Sequence, residues 1–156
     1  MTDLRVPKRR VPVEIVQVGG AVRRIAVFLA EAVASHAGPE RLADILNGQD
    51  EFIPAFDEQA AAMTFLNRAA VALARMTGQV EVDGANDVTV SSEHDVEITL
   101  LDGSRLRGLI SYSLPSDRSR LVDFLNDATP FFQLVEGDSV TLVSRRQVAR
   151  VAVVQG

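Results

Sequence analysis

Cysteine is absent from this sequence, which excludes disulfides, thiolate metal sites and cysteine nucleophiles together and fits a reducing compartment. Tryptophan is also absent, tyrosine occurs once, and the two histidines are His36 and His94, so the usual means of acid–base catalysis and base stacking are scarce. Basic residues number 16 against 21 acidic ones, and fifteen of the 16 are arginine. The resulting net charge of −5 has the wrong sign for a protein that coats nucleic acid non-specifically. No apolar run approaches the roughly 18 residues that a membrane span needs. The basic start (Arg5, Lys8, Arg9, Arg10) is interrupted by Pro7 and Pro12, and no apolar signal core follows it. We therefore read no export signal and expect a cytoplasmic protein without membrane contact. What remains is an ordinary globular composition, 47% apolar and 24% charged over 156 residues, with room for one ordinary domain or two very small ones.

The chain repeats itself. Val13-Glu14-Ile15 returns as Val96-Glu97-Ile98, with Gly20 matching Gly103 and Arg24 matching Arg107 at an offset of 83. Arg41-Leu-Ala-Asp-Ile-Leu-Asn47 returns as Arg120-Leu-Val-Asp-Phe-Leu-Asn126, and Phe52 as Phe131, at an offset of 79. A weaker block pairs Arg68, Val71 and Ala72 with Arg145, Val148 and Ala149 at an offset of 77. Three ordered blocks with small length changes between them argue for duplication of one unit. The division is a basic tail over 1–10, a first unit over 11–77, an acidic Gly/Ser/Asn linker over 78–94 and a second unit over 95–156. The linker and the strand after it supply the negative charge, since residues 79–103 hold seven acids and no base.

Each unit reads as a small β structure. Val96, Ile98 and Leu100 alternate with Glu97 and Thr99, and Asp102-Gly103 is a turn signal before a second alternating stretch, so 96–112 is a hairpin. Ser116 or Asp117 then caps a short helix through Leu125, which Asn126 ends in a left-handed conformation. Three strands follow, at Phe131–Val135, Val140–Ser144 and Val148–Val154. In the first unit the Ala-rich stretch 57–76 has helical propensity, but its counterpart is rich in Val and Thr, so 64–76 is read as strand and 57–63 stays open. The expected fold is mainly β with short helices, as tandem duplicated small antiparallel barrels.

The order strand, Gly turn, strand, Arg-Leu-x-Asp-x-Leu-Asn, then Phe-Ile or Phe-Phe and a closing strand resembles an uncharacterised bacterial family, a domain of unknown function with Sm-like or SH3-like small barrels. The resemblance covers both units, and its most specific pieces are 41–53 and 120–132. It implies a fold and no activity. Against Sm proteins proper the match is looser. Their first motif has an Asp four residues before an RNA-contacting Asn, whereas Asp44 and Asp123 stand three before Asn47 and Asn126. Their second motif has Arg-Gly where this chain has Arg68-Ala69 and Arg145-Arg146.

The repeated set Arg41, Asp44, Asn47 and Arg120, Asp123, Asn126 reads as structural, with Arg and Asp paired three apart on a helix and Asn ending it. Phe52, Phe124, Phe131 and Phe132 are assigned to the cores. The candidates for anion or RNA contact are Arg105, Arg107, Arg145, Arg146 and Arg150, because guanidinium groups bind phosphate well. His94, with its acidic neighbours, is placed in a solvated linker and His36 in a loop. No catalytic set, metal site or cofactor is read. The expected function is a non-enzymatic interaction or assembly module whose partner is another protein or a second copy. The alternative is a divergent Sm-like RNA binder using the arginines of the second unit.

Overall fold

The computed structural model describes residues 8–30, 40–77, 92–112 and 120–154. Among them the first half of the chain forms β1 (Lys8–Gln17), β2 (Val22–Ala30), α1 (Leu42–Leu46), β3 (Phe52–Asp57), β4 (Ala62–Asn67) and β5 (Val71–Thr77). The second half forms β6 (Ser92–Leu100), β7 (Arg105–Tyr112), α2 (Leu121–Leu125), β8 (Phe131–Glu136), β9 (Ser139–Ser144) and β10 (Val148–Val153). Single 3-10 turns at Arg68–Ala70 and Arg145–Gln147 lead into β5 and β10. The fold is thus mainly β with two short helices.

The ten strands make one antiparallel sheet in the order β10-β6-β7-β8-β9-β5-β1-β2-β3-β4. Within the first half the order is β5-β1-β2-β3-β4, and within the second it is β10-β6-β7-β8-β9. The halves join where β5 pairs with β9, from Leu73 opposite Val143 to Thr77 opposite Ser139. The pairing of β1 with β5 skips Ala72, and that of β6 with β10 skips Ala149, so each half carries a bulge in its last strand. Among the described residues the sheet is open, with β4 and β10 as its outer strands.

Period-two patterning explains the strands. Val11, Val13 and Ile15 of β1 are buried while Pro12 faces out, and Val96, Ile98 and Leu100 of β6 repeat the rule. β5 lies between β1 and β9 and is buried from Val71 through Ala74, so alanines at 72 and 74 suit a crowded central strand rather than a helix. The open stretch 57–63 becomes the end of β3, a turn over 58–61 and the start of β4. Asp57 organises that turn, its Oδ1 accepting from the Gln59 and Ala60 N–H groups at 3.0 and 3.1 Å. The turn between β8 and β9 spans only Gly137 and Asp138, which is where the sequence offset falls from 79 to 77.

Two expectations are corrected. The left-handed end of each helix is absent, since Asn47 has φ −93° and ψ 2° and Asn126 has φ −93° and ψ 9°. The linker is shorter than read: residues 92–94 belong to β6, and His94 packs on Tyr112 with its Nε2 3.1 Å from the phenol oxygen. Residues 78–91, Ser116, Asp117 and His36 lie outside the described residues.

Two apolar cores lie along the sheet, and they exchange residues. Leu42 and Leu46 of α1 pack with Val13, Ile15, Val27 and Val71 in the first, which also takes Phe131 and Leu142 from the second half. The second gathers Val96, Ile98, Ile110, Phe132 and Leu134 and takes Leu73 from the first half.

Candidate interaction surface

Both helices are held by the same devices. At the start of α1 the Arg41 N–H donates to Asp44 Oδ2 at 2.8 Å, and at the start of α2 the Arg120 N–H donates to Asp123 Oδ2 at 3.2 Å. Each carboxylate thereby satisfies a backbone donor that a helix N-terminus leaves unpaired. At the other end an arginine serves the orphan carbonyls. Arg145 donates through Nη1 to the Phe124 and Leu125 carbonyls at 2.8 and 3.0 Å, and through Nε to the Thr129 carbonyl at 2.7 Å. Its guanidinium lies 5.1 Å from the centroids of both Phe124 and Phe132. Burial lowers its pKa, with Asp127 acting against that shift. Arg68 does the corresponding work for α1, donating to the Leu46 and Gly48 carbonyls. The signal for this role was in the sequence as the Arg68/Arg145 match, which carried no helix assignment there.

Arg105, Arg107 and Arg150 share one face of the sheet, where Glu97 stands among them, but Arg145 and Arg146 lie apart from it at the turn before β10. Arg145 is committed to the helix end. Arg107 pairs with Asp95 at 3.2 Å and stands opposite Glu97 on the neighbouring strand, and hydrogen bonding to Asp95 raises its pKa. Arg105 and Arg150 flank Thr99 from either side of β6. Arg146 is exposed at a cleft of ≈ 690 Å³ at the junction of the halves, where Glu51 and Asp127 accompany it and Arg68. No group of three or more His, Asp or Glu among the described residues is placed to hold a metal ion, and no described helix is long and apolar enough to cross a membrane.

The free sheet edges are the unusual surface. Phe52, Met63 and Phe65 on β3 and β4 are 55%, 53% and 67% exposed, and at the other end Val122 and Val153 are 48% and 50% exposed. Phe52 therefore departs from its assignment to a core. The residues holding the same sequence places at the β5–β9 junction are Phe131, Val140 and Leu142, and these are only 3%, 1% and 1% exposed. Asn47 reinforces that junction by accepting, through Oδ1, from the Phe131 N–H at 2.8 Å. Arg75 also spans it, donating to Glu14 of β1 at 3.2 Å and to Glu136 of β8 at 3.3 Å. Beside β10 lies a cleft of ≈ 240 Å³ lined by residues that include Leu125, Phe132, Val148 and Val151. The arrangement defines a β-sheet protein with an apolar open edge at each end. Compared with protein-family models, curated proteins and solved structures, the chain matches none of them.

Proposed function

We propose that the chain is a non-enzymatic assembly module of the cytoplasm, built from two Sm/SH3-like units over 11–77 and 95–156, which takes a protein partner along its open sheet edges. Strand order, the pairing registers and the bulges at Ala72 and Ala149 all support two copies of one unit. The observation that carries the function is the internal joint. The units already associate edge to edge, β5 on β9, and each retains one edge of the opposite kind. Strand addition at such an edge supplies main-chain hydrogen bonds, and alternate side chains give the specificity. The exposed Met63 and Phe65 on β4 and Val153 on β10 fit protein contact better than solvent. An RNA role draws less support, because Arg145 is occupied within the fold and Arg107 is paired with an acid.

The test is a photo-crosslinking residue in place of Phe65 in the full chain, irradiated in its native cells. A protein adduct stronger than that from the same probe at exposed Ser111 is the expected result. Equal labelling from the two positions overturns the reading.

A further inference from the structure

We infer that the partner at these edges is a second copy of this chain, bound head to tail, with β10 of one copy pairing antiparallel with β4 of the next. The inference rests on the assembly reading above and gives it a partner. Its basis is that one chain already contains the joint. Residues of β5 and β10 correspond at an offset of 77, as do those of β9 and β4, and the pairings of each with its inner neighbour agree. Shifting the observed register of Ala74 opposite Leu142 and Met76 opposite Val140 by 77 sets Val151 opposite Phe65 and Val153 opposite Met63.

The side chains follow the same rule. Inside the chain, Phe131 and Leu142 enter a core walled by Leu46, Ile53, Val71 and Ala74. The counterparts of that wall are Leu125, Phe132, Val148 and Val151, and these line the cleft beside β10. The counterparts of Phe131 and Leu142 are Phe52 and Phe65, two large exposed rings on the opposite end of the sheet. One edge thus carries the apolar groups and the other carries the cleft that receives them. Asn126 occupies the position of Asn47 and has the Phe52 N–H of the next copy as its corresponding partner. The polar bridge is not repeated, since Ala152 stands where Arg75 does. The joint between chains therefore lacks an ion pair that the internal joint has, and it is the weaker of the two. A contact between two different surfaces is heterologous, so it either closes into a ring or extends as a filament.

Edge-blocked variants separate this geometry from its rivals. Phe65→Glu blocks the β4 edge and Val153→Glu the β10 edge. Both replace exposed side chains, and circular dichroism identical to wild type establishes that each variant folds. In sedimentation of the full chain at about 100 μM, wild type is expected to exceed one chain in mass, while each variant alone is a monomer, with association weakened at least about 30-fold. An equimolar mixture of the two variants retains one intact joint and is expected to form a 1:1 dimer. A Met63→Cys chain mixed with a Val153→Cys chain is expected to form a disulfide across the same register, against a background free of native cysteine. Monomeric wild type overturns the inference, and so does a dimer that persists in either variant alone, which marks a like-with-like edge. Monomeric protein that still gives the Phe65-position adduct with a different protein overturns the inference and leaves the assembly reading standing.

Discussion

Phe52 and Phe131 open β3 and β8 at the same place in the two units, yet one lies on the surface and the other fills the first core. Phe131→Ala leaves a cavity and is expected to cost about 3–5 kcal/mol of unfolding free energy. Phe52→Ala in dilute protein is expected to stay within about 0.5 kcal/mol of wild type. Urea denaturation of both variants checks the pair, and equal losses would contradict the burial difference. Asp57 is the other residue whose setting is decisive. The Arg23 guanidinium and the Gln59 and Ala60 N–H groups hold its carboxyl below the usual carboxylate range, and the Arg23 hydrogen bond is the largest cause. A carboxylate lowered in the folded state contributes stability that is full above its unfolded value of about 3.9 and is lost as pH falls through the lower folded value. Asp57→Asn is therefore expected to reduce stability at neutral pH and to flatten the fall below about pH 4. An acid limb unchanged in the variant, followed by denaturation against pH, would remove Asp57 from that role.

Each helix is only five residues long and draws little on intrinsic propensity, so its ends and its buried face must hold it. Arg145 supplies the end of α2, and its planar fork meets several acceptors at once, which the single ammonium of lysine does not. Arg145→Lys is expected to cost about 1.5–3 kcal/mol, because hydrogen bonds to a charged group are lost, while Arg146→Ala on the exposed side is expected to change stability by less than about 0.5 kcal/mol. Thermal denaturation of the two variants distinguishes them, and a neutral Arg145→Lys would refute the clamp. This element also marks how far the sequence was legible. Alternation and the repeated blocks placed the strands of the second unit within a few residues, because buried and exposed positions on a strand differ at every step. The repeated motif placed a short helix ending at Leu125, but its cap was read at Ser116 or Asp117, whereas Arg120 holds the N-cap place of α2. The end of each helix was misread, because Asn is suited to a left-handed cap but the carbonyls here are served by an arginine some twenty residues away. The surface was the least legible part. A repeat predicts equal burial at matching positions, and Phe52 and Phe131 differ because one unit has a neighbour on that side and the other has none among the described residues.

At the scale of the whole molecule, the two cores are not independent. The second half lends Phe131 and Leu142 to the first core, the first half lends Leu73 to the second, and Arg75 and Asn47 tie the backbones across the joint. A unit of about 65 residues buries only about 60% of the surface its unfolded chain exposes, so it is marginal even with its core intact. Removing one half exposes the lent residues and opens the edge strand that they cover. The full chain is therefore expected to unfold in one transition, with calorimetric and van't Hoff enthalpies equal. The second half alone, cut before β6 as 92–156, is expected to show no cooperative melting. Adding the first half as a separate chain is expected to restore it, since β5 and β9 need no covalent link to pair. Two resolved transitions in the full chain, or a cooperative melt of 92–156 by itself, would make the units separable. In that case the internal joint would be a docking of two finished domains rather than part of the folding unit, and its strength would have to come from the strand pairing alone.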